Sequence, residues 1–373
     1  MKKERKKLKA MNYRYSLIAL ALLTVSPIIA GQMISDSKTL RKSFRVGRDA
    51  ILDVNNKYGD IHISHSYSDS ITVRAEVTAS SNTGGKLDAM MSDVDVSMTM
   101  AGGTVRVQTT FTKGITPLFE SLKGLTKNLI NFDSRLKIDY FIECPPLTEL
   151  MVTNSYGDVY IGDETPALTL KLSNGALDAA AVRHARLLEL TFCKANIRSI
   201  DSGIIKLSFS ELRTKEAGKI SLASTSSKIW IDNCGSLDLD AKRDNLNVGF
   251  AEVITGTSYF SDIIADMVAK EINMSVKYGN LSFGNIARGF SLIDLRSTYA
   301  DIDMAVEENA GYSLEIRHTN AFVSLPGFEP RPEPAEISAQ NKIYLTKATV
   351  GSRPGSSQIR IDATRGEIRV LQK

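Results

Sequence analysis

Few side chains in this sequence have spacing that chemistry demands, and the carboxylates come closest. Asp60, Asp158, Asp262 and Asp301 each stand immediately before an apolar residue in a recurring motif, and Asn245 and Asn280 take the same place in two further copies. Acids aligned on a stacked fold could cleave a polysaccharide, which needs two carboxyls flanking one glycosidic bond. The order Asn245, Asp262, Asn280, Asp301 instead alternates amide with acid. An interposed amide separates like charges and continues a side-chain ladder, so the alternation predicts a structural column, with calcium binding and acid–base catalysis as the alternatives.

The other candidates are scattered. His62 and His65 lie three apart on an expected strand, which turns them to opposite faces, and His184 and His318 stand far away, so no metal site is expected. Neither Gly84-Gly85 nor Gly102-Gly103 continues into a calcium-binding glycine repeat. Cys144, Cys193 and Cys234 are odd in number and widely spaced, which reads as buried apolar thiols, with a single bridge as the alternative. Trp230, the one tryptophan, sits between Ile229 and Ile231. If those two face inward, alternation turns Trp230 outward, where it could stack on a sugar or a partner or pack beneath a loop. No nucleophile elbow or triad spacing is present, and no cofactor is expected.

The elements that would position these residues repeat. ILDVNNKYGDIHI at 51–63 recurs as LMVTNSYGDVYI at 150–161, INMSVKYGNLSF at 272–283 and LIDLRSTYADIDM at 292–304. Aligned on the apolar residue after the Gly-Asp step, the anchors are Ile61, Val159, Leu177, Ile197, Leu212, Ile229, Leu246, Ile263, Leu281, Ile302 and Phe322. The spacing from Val159 onward averages about 18 residues, and apolar residues alternate on both sides of each corner, so each repeat predicts two short strands with one buried face. At the corner, a small residue such as Gly59, Gly157, Gly279 or Ala300 is expected to supply unusual backbone angles. The aromatic before it (Tyr58, Tyr156, Phe209, Phe260, Tyr278, Tyr299) is expected to stack along one edge.

Units of this size cannot bury their own faces and must stack. The prediction is an all-β chain, a single-stranded parallel β-helix or related β-solenoid, forming one elongated domain over 31–373. Between Ile63 and Val159 the pattern loosens into longer strands, and Leu118, Leu122, Leu125 and Leu129 predict a helical insertion at about 116–132. Four prolines within 326–341 predict an excursion loop, after which strand alternation resumes and Gly366, Glu367 and Ile368 echo the corner.

Residues 1–30 hold a basic run, an apolar core from Leu17 to Val25 and a small residue at Ala30, the layout of a secretory signal peptide cleaved near Ala30. An uncleaved anchor and a start at Met11 are the alternatives. The formal charge of +4 resides there: the remainder holds 39 basic and 41 acidic residues, a net of −2, which gives no global attraction to nucleic acid. With 43% hydrophobic residues the chain can bury a large core, which excludes a mainly disordered protein.

FRVGRDAILDVNNKYGDIHISHSYSDSITVRAEV at 44–77, LKIDYFIECPPLTELMVTNSYGDVYIG at 136–162 and the repeated Tyr-Gly-Asp corners resemble the bacterial putative-adhesin family of β-strand-repeat proteins, over nearly the whole mature chain. The corners at Leu212, Leu246 and Phe322 depart from the tidiest pattern. The resemblance implies an exported, right-handed parallel β-helix with no catalytic residue to carry over. The expected role is a non-enzymatic adhesin or binding scaffold of the cell envelope, its partner an envelope protein or a surface polysaccharide. A carbohydrate-active enzyme and an envelope-sensing protein are the other readings.

Overall fold

The computed structural model describes residues 33–112, 134–351 and 357–373, so the expected signal at 1–30 and the expected helix at 116–132 lie outside the described residues. The described chain is all-β except for one short helix, its strands joined in a single solenoid-like sheet.

The repeating middle is built from β8 (Glu149–Ser155), β9 (Val159–Ser173), β10 (Ala176–Thr191), β11 (Lys194–Ser208), β12 (Glu211–Thr225), β13 (Lys228–Lys242), β14 (Asn245–Ile286) and β15 (Leu292–Val306). Each of β10 to β13 is one coil, and the four pair in parallel in chain order: Leu177 aligns with Ala195, Ala195 with Leu212, Leu212 with Ile229, and Ile229 with Leu246. Alternation places the core: in β13, Ile229, Ile231, Cys234, Leu237, Leu239 and Ala241 are buried, with Lys228, Asp232 and Asp238 outside. Each buried Leu or Ile contributes roughly 1.5–3 kcal/mol by leaving water, yet only because the neighbouring coils cover it.

The alignment corrects two anchors. Ala195, not Ile197, lies in the ladder with Leu177 and Leu212, so the third coil is displaced by two residues from its expected register. Val323, not Phe322, aligns with Ile368, and Phe322 points to solvent at 64% exposure. With Ala195 as anchor, the steps from Leu177 to Ala195 and on to Leu212 become 18 and 17 residues, so the coil is more regular than the sequence suggests.

Both ends are assembled out of chain order. At the start lie β1 (Ile34–Arg45), β2 (Ile51–Lys57), β3 (Ile61–His65), β4 (Ser70–Ser81), α1 (Gly84–Asp93), β5 (Val94–Ala101), β6 (Thr104–Phe111) and β7 (Ser134–Cys144). β2 and β3 form a coil on β8 and β9, and β6 and β7 add a further layer outside them in parallel. β5, β4 and β1 then close that end with antiparallel pairings, and α1 tucks Leu87 and Met90 beside Ala79.

At the other end lie β16 (Tyr312–Ser324), β17 (Ala335–Ser338), β18 (Ile343–Val350) and β19 (Gln358–Gln372). β19 inserts in parallel between β15 and β16, aligning Ile361 with both Leu295 and Ile316. β18 runs antiparallel to β16 and pairs with β17, so KIYLTKATV is a capping strand and not another coil. Among the described residues no helix is long and apolar enough to cross a membrane.

Candidate functional site

Three columns run up each corner, and each has a different physical task. The residue three before the anchor takes a left-handed backbone: φ is +66° at Tyr58, +60° at Tyr156, +54° at Phe192, +52° at Phe260 and +55° at Tyr278 and Tyr299. This conformation costs an L-residue roughly 1–2 kcal/mol. Two contributions offset it. The N–H turns to the next coil, from Tyr58 to Ser155 O at 2.9 Å, from Tyr156 to Ser173 O at 3.0 Å and from Phe192 to Ser208 O at 3.0 Å. The rings also stack: Tyr58 on Tyr156 at 5.5 Å, Phe192 on Phe209 at 5.0 Å, Phe260 on Tyr278 at 4.6 Å and Tyr278 on Tyr299 at 5.3 Å. Such a pair is worth about 0.5–1.5 kcal/mol beyond its buried area. Phe192 belongs to this column and was hidden by the displaced anchor.

The second column, expected to need glycine for its dihedrals, needs small residues for another reason. Gly59, Gly157 and Gly175 have no positive φ, but a Cβ at Gly157 would collide with the Gly59 carbonyl, and one at Gly175 with the Gly157 carbonyl. Gly279, at φ +123°, meets both demands. Ala300 is buried at the same level. In the middle coils the column becomes Cys193, Ser210, Ser227, Asp244 and Ser261, all buried. Each side chain from Ser210 on accepts the backbone N–H of the column residue one coil earlier: Cys193 N–H to Ser210 Oγ, Ser210 N–H to Ser227 Oγ, Ser227 N–H to Asp244 Oδ1 and Asp244 N–H to Ser261 Oγ, at 2.7–3.2 Å. Asp244 Oδ2 also accepts from Lys242 N–H and Ser224 Oγ, both at 2.7 Å. Burial pushes its carboxyl above the usual value, against the pull of those hydrogen bonds.

The third column holds the corner acids, and the structure spends them on the scaffold. Asp139 accepts Asp60 N–H, Asp60 accepts Asp158 N–H and Asp158 accepts Ala176 N–H, at 2.7–2.8 Å. Asn280 donates to Asp262 at 2.7 Å, and Asp301 accepts Glu367 N–H at 2.7 Å. Lys137 bridges Asp60 and Asp139 at 2.8 and 2.9 Å. Burial acts to raise the Asp60 carboxyl, but the Asp158 N–H and the Lys137 ammonium outweigh it and hold it below the usual range. Among the described residues no cluster of His, Cys, Asp and Glu could hold a metal ion. The three cysteines are free and buried, and desolvation raises the Cys144 and Cys234 thiols to about 11.

One outward column lies on the strand that follows the corners. Register places Phe141, His62, Tyr160, Asp178, Asn196, Arg213, Trp230 and Asn247 in succession. His62 is sandwiched between Phe141 at 4.9 Å and Tyr160 at 4.6 Å, nearly parallel to both, and the Arg74 guanidinium lies 4.1 Å over Phe141. Trp230 does point outward between buried Ile229 and Ile231, and Arg213 stacks on its ring at 4.1 Å. Two grooves open on this face. One of about 420 Å³ borders the His62 stack, and one of about 580 Å³ runs between Asp178, Asn196, Arg213 and Trp230 on one wall and Arg198, Lys215 and Asp232 on the other. His62 entered the sequence reading only as a metal candidate. The aromatics that flank it come from Tyr160 in the next repeat and Phe141 in a distant segment, a register that no local pattern reveals.

No family model matches the sequence, and no curated protein matches it either. Solved structures do. A putative cell adhesion protein from Clostridium sporogenes is 10% identical over 91% of this chain and 100% of its own, with a TM-score of 0.19. A putative adhesin from Bacteroides fragilis is 10% identical over 90% of this chain and 97% of its own, with a TM-score of 0.27. A protein from Parabacteroides distasonis called a putative lipid binding protein is 9% identical over 90% and 97%, also with a TM-score of 0.27. At such scores the likeness carries no argument about function.

Proposed function

We propose that the chain is an exported, non-enzymatic binding scaffold of the bacterial cell envelope, of adhesin type, whose coils form a right-handed parallel β-helix. The outward column from Phe141 to Trp230 carries the reading: it aligns three stacked rings, an arginine and a tryptophan along one sheet face. The corner acids favour the same reading over catalysis, because Asp60, Asp158, Asp262 and Asp301 are each engaged by a neighbouring coil. The basic and apolar segments at 2–25 supply the export signal.

The test is retention of envelope polysaccharide and envelope protein on immobilised mature chain. Wild type is expected to retain one of them, and His62→Ala with Tyr160→Ala to lose it while unfolding at an unchanged denaturant concentration. Failure to retain either class refutes the scaffold role. N-terminal sequencing of the chain from fractionated cells, expected to begin near Gly31, tests export separately.

A further inference from the structure

The groove beside Trp230 holds a charge pattern that the scaffold does not use. Some exposed cations on the coils find acids, as in Arg183 with Glu164 and Lys270 with Glu252, and others, such as Lys194, Lys206 and Lys219, do not. Arg198 and Lys215 stand exposed and side by side on adjacent coils, between the aligned pairs Ile197/Thr214 and Ser199/Glu216. Like charges opposed across strands repel. Among the described residues neither they nor Arg213 is in an ion pair, although Asp178 and Asp232 line the same groove. An anion seated between the walls would relieve that repulsion.

We infer that this groove binds an acidic glycan, with uronate carboxylates held by Arg198, Arg213 and Lys215 and sugar hydroxyls donated to Asp178, Asn196 and Asp232. The inference rests on the scaffold reading and names its ligand class. Arginine is suited to the task because its planar fork pairs a carboxylate through two hydrogen bonds. Each uronate unit also carries hydroxyls that the two acids in the walls can accept, which a polyphosphate lacks. Coils repeat at about 4.8 Å, close to the rise of a pyranose unit, so successive sugars of an extended chain meet successive coils. Trp230 supplies an apolar wall at one end, its ring held by Arg213.

Trp230 is the only tryptophan, so intrinsic indole fluorescence reports on this groove alone. Galacturonate and mannuronate hexamers are titrated against the full mature chain, with cellohexaose as the neutral comparator. At least one uronate is expected to change the emission saturably, with affinity about tenfold weaker at high salt as screening removes the charge contacts. Arg198→Ala with Lys215→Ala is expected to weaken it about tenfold or more with no change in the urea midpoint. Equal binding of cellohexaose overturns the acidic class. Uronate binding undiminished in the double variant overturns the site but leaves the scaffold reading standing. Silence with both uronates while the chain still retains envelope polymer overturns the ligand class alone, and loss of that retention too is the failure of the scaffold reading itself.

Discussion

Asp244 is the one carboxylate in a buried column otherwise made of hydroxyls and a thiol, and its three hydrogen bonds decide what replaces it. Asp244→Ala leaves the buried Ser227 N–H and the partly buried Lys242 N–H without their acceptor, the first at about 1–3 kcal/mol and the second at less, so a loss of roughly 2–3 kcal/mol is expected in urea unfolding. Asp244→Ser, which copies Ser210, Ser227 and Ser261, should cost clearly less; equal losses would show that the column is not interchangeable. The two perturbed acids act with opposite sign as pH changes. Asp60, held below the usual carboxylate value, contributes stability that is complete above that value and lost as pH falls through its folded pKa. Asp244, held above it, favours its protonated form in the fold, so its contribution falls as pH rises from the usual value through its folded pKa. Urea midpoints measured against pH should therefore show a shallower acid loss in Asp60→Asn, which keeps an acceptor for Asp158 N–H, and a steeper one in Asp244→Ser. A common slope for both variants contradicts the assignment. Gly157→Ala, which drives a methyl into the Gly59 carbonyl, is expected to cost about 3 kcal/mol or more.

At the scale of elements, the strand between β15 and β16 is the sensitive one. Ile361 is buried between Leu295 and Ile316, and Ile361→Ala should cost about 2–5 kcal/mol. Because each coil touches only its neighbours, the effect should stay local. Hydrogen exchange is expected to quicken in β15, β16 and β18 and to remain unchanged in β10 to β12; uniform quickening would mean that the sheet unfolds as one unit. The coils themselves were legible, because alternation about a small corner survives every change of residue. Their order was not. Gln358–Gln372 carries the same alternating pattern as any other coil, and parallel pairing leaves no local mark of which neighbour a strand will take. The anchor at Ile197 failed for a simpler reason: Ala195, the true ladder residue, is a weak apolar signal beside a stronger one. The helix Gly84–Asp93 escaped notice because it opens on two glycines, has no side-chain cap and buries only Leu87, Met90 and Asp93. The outer face was legible at Trp230 by alternation, but the grouping of Phe141 with His62 and Tyr160 required the register of segments 79 and 98 residues apart.

For the whole molecule, cohesion comes from stacked coils and not from cross-links. Cys144, Cys193 and Cys234 are all free, so the urea midpoint is expected to be identical with and without reductant, and the native thiols should resist alkylation until the chain unfolds. A midpoint lowered by reductant would reveal a bridge. The threaded ends add a consequence in time. A ribosome delivers the chain from its beginning, and coils β8 to β15 can zip together in the order in which they emerge. β16 can pair with β18 but cannot join the stack, because the strand that links it to β15 arrives only with Gln358–Gln372, and until then β15 and β16 each present a bare edge to the other side of that gap. A nascent chain is therefore held unfinished until that segment is delivered, and one cut short before it would keep a permanently sticky end, a mark by which proteases could sort incomplete molecules from complete ones.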